Sequence, residues 1–371
     1  MIHHHYRTAR IRLRLLIVAL FTLAGLASPL HAAASDPPLR CRESSLPVTL
    51  APGATATYQV HGWLCARPPL AGRIVQVLIS GATYGHVYWD FPYQPERYSY
   101  VQALTAAGYA TLNLDRIGIG QSDHPSPDQV TIDSNAFVIH QVVQALRAPR
   151  LAGVAFPKVV LVGHSLGSAI AIVEAATYHD VDGVILSGFG HGFGPGAQAL
   201  PAALYPALYD PRFSTLPQAS SSGSYYLTTV PGTRGLFYNQ ADADPGVIAV
   251  DEQTKETVTV EETNGFLGVV GFPDFRPLES ISQGINVPVL SVIGGEDSLF
   301  CVTQACLQAE PSYYTSAPVF EQVVLPNAGH DLNLHLNALD WFSIAQNWTD
   351  RHFGATVAGP ALGSQVAQPY R

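Results

Sequence analysis

The stretch Lys158-Val-Val-Leu-Val-Gly163-His164-Ser165-Leu166-Gly167-Ser168-Ala169-Ile170 decides the fold reading of this chain. An apolar run of strand length precedes Gly-x-Ser-x-Gly, and an Ala-rich helical stretch follows it. A turn leading straight from a buried strand into a helix forces its central residue into a strained backbone conformation. Side chains at the flanking glycines would strike neighbouring backbone. Ser165 is thereby lifted above the C-terminal edge of a sheet, at the start of a helix whose free amides favour developing negative charge. Gly-x-Ser-x-Gly alone is common in a Gly-rich chain; its place between strand and helix marks Ser165 as a nucleophile candidate.

Outward from this turn, apolar runs bounded by Gly, Pro and Asp recur with helical stretches between them, the mark of an α/β sheet built from crossover units. The sequence predicts strands over Ala54–Trp63, Ile74–Ser80, Ala110–Leu114, Val159–Val162, Val184–Leu186, Val289–Ile293 and Val319–Leu325. It predicts helices over Tyr98–Ala107 and Ala136–Leu146, the second with Phe137, Ile139/His140, Val143 and Leu146 at helical spacing. The alternation breaks over about residues 191–284, dense in Gly, Pro, Ser and Tyr, with one clear helical stretch near Pro245–Glu262. A segment of this length is too long for a connecting loop and is read as a cap inserted into a core of residues 35–190 and 285–354.

A serine hydroxyl is a poor nucleophile until a base takes its proton, and the base needs an acid to orient it. Pro288-Val-Leu-Ser-Val-Ile293-Gly294-Gly295-Glu296-Asp297 reads as a strand that presents Asp297 at its C-terminal end, with Glu296 as the rival acid. Val323-Val-Leu-Pro-Asn327-Ala328-Gly329-His330-Asp331 reads as a strand followed by a Gly-His loop. The order Ser165, Asp297, His330 is the order of nucleophile, acid and base in hydrolase-fold enzymes.

On these motifs the chain resembles the α/β-hydrolase family over about residues 70–350. The resemblance implies a mostly parallel sheet flanked by helices and an acyl-enzyme route in which Ser165 attacks, His330 shuttles the proton and Asp297 holds the imidazole. It also implies an oxyanion hole from the amide of Leu166 and one from the loop Ser80-Gly81-Ala82-Thr83. Relatives commonly carry His-Gly where this chain has Ser80-Gly81, which leaves Ala82 as the second donor and Thr83 as the next choice. Asp115-Arg116-Ile117-Gly118-Ile119-Gly120-Gln121-Ser122-Asp123 matches a family segment that shapes a loop beside the site. His86, His164 and His191 are candidate pocket residues or hydrogen-bonded neighbours, and Glu174 reads as a solvated or paired face residue. Tyr205, Tyr209, Tyr225, Tyr226, Phe237 and Tyr238 read either as an aromatic substrate wall or as packing of the cap.

Composition restricts the alternatives. Hydrophobic residues at 47% against 13% charged supply a large core and exclude a disordered chain. A net charge of −9 without a basic patch beyond the N-terminus argues against nucleic acid as a partner. Residues 1–34 carry Arg7, Arg10, Arg12 and Arg14, an apolar run from Leu15 to Ala27 and the small residues Ala32-Ala33-Ala34, the pattern of a secretory signal cleaved after Ala34. The run is too short to span a membrane, so no stable anchor is expected after processing. Export to an oxidising space gives meaning to four cysteines, for which proximity suggests Cys41 with Cys65 and Cys301 with Cys306. Two distant pairs without Cys-x-x-Cys spacing do not read as zinc ligands, and no cofactor or metal is expected. Residues 355–371 lack periodicity and read as a loose tail.

The expected activity is therefore that of a secreted serine hydrolase of moderately apolar esters or lactones. Ser165 stands where dehalogenases and epoxide hydrolases of this fold carry Asp. Three alternatives share the scaffold: a proline-type peptidase using Glu261-Glu262 or Asp242 and Asp244 to hold a free amine, a cofactor-free haloperoxidase-like enzyme, and a non-catalytic binding protein.

Overall fold

A computed structural model describes residues 37–217, 219–267 and 278–354 of the chain. The expected signal segment over 1–34 and the expected loose tail over 355–371 lie outside the described residues. The first half runs β1 (Arg40–Val48), β2 (Tyr58–Ala66), β3 (Ile74–Ile79), α1 (Pro95–Tyr98), α2 (Tyr100–Ala106), β4 (Ala110–Asp115), α3 (Ile132–Arg147), β5 (Lys158–His164), α4 (Leu166–Tyr178) and β6 (Gly183–Ser187). Then follow α5 (Leu200–Ala203), β7 (Leu204–Pro206), β8 (Tyr226–Thr229), α6 (Pro245–Thr254), β9 (Val258–Thr259), α7 (Val260–Leu267) and α8 (Leu278–Ser282). The chain closes with β10 (Val289–Gly294), α9 (Gln304–Ala309), β11 (Phe320–Leu325) and α10 (Ala338–Phe353).

Eight strands form one sheet in the order β1-β2-β4-β3-β5-β6-β10-β11. From β4 to β11 neighbours are parallel, whereas β2 runs antiparallel to β4 and β1 antiparallel to β2. Every residue of β3, β4, β6 and β10 is buried, as expected of strands in a sheet covered by helices on both faces. Because β3, β5, β10 and β11 are parallel, the loops that follow them open on the same sheet edge, and this edge gathers the candidate site residues.

β1 is an addition to the seven predicted strands. Its sequence Arg-Cys-Arg-Glu-Ser-Ser-Leu-Pro-Val is mostly exposed and charged, which suits a sheet edge but hides the strand from an apolar pattern. Its register sets Cys41 opposite Cys65, and the two lie at disulfide-bonding distance.

β6 and β10 are neighbours in the sheet, yet between them the chain builds a separate antiparallel sheet, β7-β8-β9. The helix predicted over Pro245–Glu262 is two helices, because Val258-Thr259, within the β-branched run Thr257-Val258-Thr259, pairs with β8 instead of continuing α6. α3 buries Ile132, Ala136, Ile139, Val143 and Leu146, while Phe137 and His140 stand half-exposed at its margin. α4 is apolar all round because the sheet, α3 and α8 enclose it. Glu174 on α4 is consequently fully buried and not a solvated face residue. Burial, with Asp180 adding to it, pushes its carboxyl well above the ordinary range.

Candidate active site

Ser165 joins β5 to α4 at φ 53° and ψ −119°, outside the regions that L-residues favour. Close packing dictates the glycines on either side. A Cβ at Gly163 would approach the Gly167 carbonyl to 2.5 Å, and one at Gly167 would collide with the carbonyl of Ile79 on β3. The Ser165 N–H donates to Ser187 O at 2.9 Å, which ties the turn to the end of β6. Leu166 opens α4, so its N–H is among the helix-start donors without an intrahelical acceptor.

The loop after β11 carries His330, and the loop after β10 carries Asp297. Asp297 Oδ2 lies 3.0 Å from His330 Nδ1, while Oδ1 accepts the N–H groups of Leu299 and Phe300 at 2.8 and 3.2 Å. Both carboxylate oxygens are thus spoken for, and the side chain is fully buried. Glu296 points to solvent and stays outside the arrangement. A Cβ at Gly294 would strike the carbonyls of Ala328 and Gly329, so the approach of these two loops depends on that glycine. Burial is the largest influence on His330 and opposes its charge. The charge of Asp297, its hydrogen bond and the charge of Asp331 overcome that opposition and raise the imidazole above its ordinary value.

Behind this pair, Asp331 Oδ1 lies 3.1 Å from His164 Nε2, and Asp331 Oδ2 accepts the Tyr84 hydroxyl. Burial and the neighbouring His330 hold His164 well below the ordinary imidazole range, so it is neutral. His335 accepts the N–H groups of Gly329 and Asn239 on Nε2 at 2.9 and 3.1 Å, which leaves Nδ1–H to donate to Asp331 O at 2.8 Å. The backbone on both sides of His330 is fixed by these bonds.

Ala82 and Thr83 belong to the loop after β3, which presses on the serine turn: a Cβ at Gly81 would stand 3.1 Å from Ser165 Cβ. Two buried arginines hold this loop. Arg116 donates to Ser80 O and Gly81 O at 3.0 and 3.1 Å, and to Glu262 Oε1 on α7 at 2.5 Å. Arg234 donates to Thr83 Oγ1 at 2.8 Å and to Asp251 on α6 at 2.5 and 3.0 Å, with its guanidinium 3.9 Å from the Tyr84 ring centroid. Each guanidinium takes its loop contacts from the main sheet's edge and its counter-charge from the segment between β6 and β10.

Ser165 and His330 line the same cavity. Its remaining walls are Ala82, Thr83, Tyr84 and Thr263, with the apolar side chains Phe193, Leu200, Leu204, Phe237, Leu299 and Phe300. No acidic side chain lines it among the described residues. Phe193 and Phe300 meet as a β-bridge with stacked rings, and Cys301 and Cys306, at disulfide-bonding distance, close the loop beyond.

Residues 76–343 match the alpha/beta hydrolase family. The chain belongs to that family. Among solved structures, this alpha/beta hydrolase is similar to E-2-(acetamidomethylene)succinate hydrolase at 17% identity and TM-score 0.53, covering 83% of this chain and 100% of that one. It is also similar to a thermophilic esterase from Thermogutta terrifontis (16%, TM-score 0.54) and to an esterase from Rhodococcus sp. ECU1013 (16%, TM-score 0.55). For each of these two the match covers 84% of this chain and 99% of the other.

Within this alpha/beta hydrolase the structure brings Ser165, His330 and Ala82 to one cavity, places Asp297 on His330, and starts α4 at Leu166. It does not gather the predicted aromatic wall. Phe237 alone of that set lines the cavity; Tyr226 donates to Pro125 O, Tyr238 to Asp251, and Tyr209 is 70% exposed. His86 lies against Trp63 and Asp115, and His191 bonds Glu310 and Ser282, so neither faces the cavity. The apolar lining and the role of Arg234 escape sequence reading, since no local pattern separates a cavity leucine from a core one. Arg116 had a signal, its place in the Asp115–Asp123 segment.

Proposed function

We propose that this chain is a serine carboxylic-ester hydrolase that cleaves esters or lactones of moderately apolar substrates through an acyl-enzyme on Ser165. The observation that carries this reading is the shared apolar cavity lined by Ser165 and by a His330 already oriented by buried Asp297. Ser165 Oγ attacks the carbonyl carbon as His330 takes its proton, and the imidazolium that forms is stabilised by Asp297. The amides of Leu166 and Ala82 receive the oxyanion. His330 returns the proton to the leaving alcohol, and water attacks the acyl-enzyme by the same steps to release the acid and free Ser165.

The lining favours esters or lactones over peptides with a free amine. Glu262 is committed to Arg116, and Asp244 caps α6 and binds Tyr93 and Gln94, so neither is offered to a ligand. The segment over 191–284 acts as the cap that supplies Leu200, Leu204 and Phe237 to the acyl or alcohol group. Export through a cleaved signal over 1–34 fits the two cysteine pairs at bonding distance, since such pairs persist in oxidising compartments. No helix among the described residues is long and apolar enough to cross a membrane.

Hydrolysis of short-acyl p-nitrophenyl esters tests the reading. Ser165→Ala is expected to lower kcat by about 10⁴-fold or more with the fold intact. Unchanged turnover in a folded Ser165→Ala protein refutes it.

A further inference from the structure

A second group of ligand-type side chains lies at the opposite end of α4 from Ser165. His140 on α3, Glu174 on α4 and Asp180 in the turn after α4 each offer one ligand atom, all within 4.8 Å of one another. His140 Nδ1 and Asp180 Oδ2 are 2.8 Å apart, and Gln144 Nε2 donates to the same Asp180 oxygen at 2.7 Å. Glu174 is fully buried, and its carboxyl oxygens meet no donor from outside the group, only Asp180. Asp180 Oδ1 is also buried and meets no outside donor. Buried carboxyl oxygens that meet no outside donor are costly, and here they belong to a group with an imidazole and a second carboxylate, in which an ion would replace the proton that burial keeps on Glu174.

We propose that His140, Glu174 and Asp180 bind one divalent transition ion of the zinc class. One nitrogen and two carboxylate donors suit Zn²⁺, whereas Ca²⁺ and Mg²⁺ take oxygen-only sets. Two carboxylates match the ion's charge. The last carbonyls of the 13-residue α4 add the negative end of a helix dipole. Arg147, the cation nearby, donates to Asp180 O and to Asp182, and its charge also acts on Glu174, so an ion held here must outweigh that repulsion through the two carboxylates. The side chains of His140 and Asp180 are 24% and 15% exposed, so the group touches solvent on that side.

Glu174 lies nine residues along the chain from Ser165 on the same helix, roughly 13 Å at 1.5 Å per residue. An ion there is beyond reach of the substrate. Its effect is to fasten the C-terminal end of α4 to α3 and so to stabilise the helix whose other end carries Ser165.

Equilibrium dialysis against ZnCl2 of the chelator-stripped full chain, with Tm measured in parallel, tests the site. Wild type is expected to hold one more zinc per chain than Glu174→Gln or His140→Ala, and to gain in Tm where both variants do not. Glu174→Gln keeps the shape of a neutral carboxyl and His140 is half-exposed, so two independent folded variants are available. Histidines elsewhere contribute equally to all three proteins and cancel. Equal zinc stoichiometry and equal Tm response in the three proteins overturn the site. A calcium-induced gain of the same size, lost in the same variants, overturns the assignment to the zinc class.

Discussion

Two opposing influences act on the imidazole of His330. Its burial disfavours the cation, yet Asp297 on Nδ1 and Asp331 behind it raise its proton affinity above the ordinary value. As general base His330 must be neutral, so in the proposed mechanism kcat/KM rises with pH through an acid limb placed above the usual imidazole range. Asp297→Asn removes the dominant favourable charge and leaves the burial, so the limb is predicted to move to lower pH. Because the imidazole also loses its orienting acceptor, the plateau is expected to fall by about 10⁴-fold. A pH–rate profile of the two proteins reads both effects. A limb that stays in place would mean that Asp297 does not set the charge of His330. At this scale Ser165, Asp297 and His330 were legible because each follows an apolar strand in a loop rich in glycine. Asp331 and His335 were not, and His164 was read only as a pocket residue or hydrogen-bonded neighbour, since their roles arise from how the end of β5 meets the loop after β11.

Among the elements, the loop after β3 is held from both sides. Arg116 grips Ser80 and Gly81, Arg234 grips Thr83, and their counter-charges come from α7 and α6. Arg234→Met leaves Asp251 buried without its cation and is predicted to cost about 3–5 kcal/mol of stability in urea titration. The further change Asp251→Leu is expected to recover part of that loss, because an apolar pair does not need the missing charge. A single-variant cost within about 0.5 kcal/mol, the range of an ordinary surface change, would contradict the clamp. The seven predicted strands are all found in the sheet; most are buried parallel strands, which print themselves as apolar runs, while β2 and β11 are only partly buried. β1 escaped notice because an edge strand is charged and half-solvated. The break between α6 and α7 escaped because the pairing of Val258–Thr259 with β8 overrides a helix-like pattern by tertiary contact.

Over the whole molecule, the parallel sheet delivers four loops to one edge, and the segment between β6 and β10 supplies much of the apolar lining above them. A chain with 47% hydrophobic residues fills both a central sheet and the walls of a cavity with the same residue types. Composition therefore foretold the core but not which side chains face the cavity. In the proposed mechanism the serine lifted by the turn between β5 and α4 is an activated nucleophile. Peptide mapping of the full chain after reaction with a fluorophosphonate measures this most directly. One probe per chain is expected, attached to Ser165 and absent from folded Ser165→Ala. A folded wild-type chain that takes up no probe, or label that persists in the Ser165→Ala protein, would contradict it.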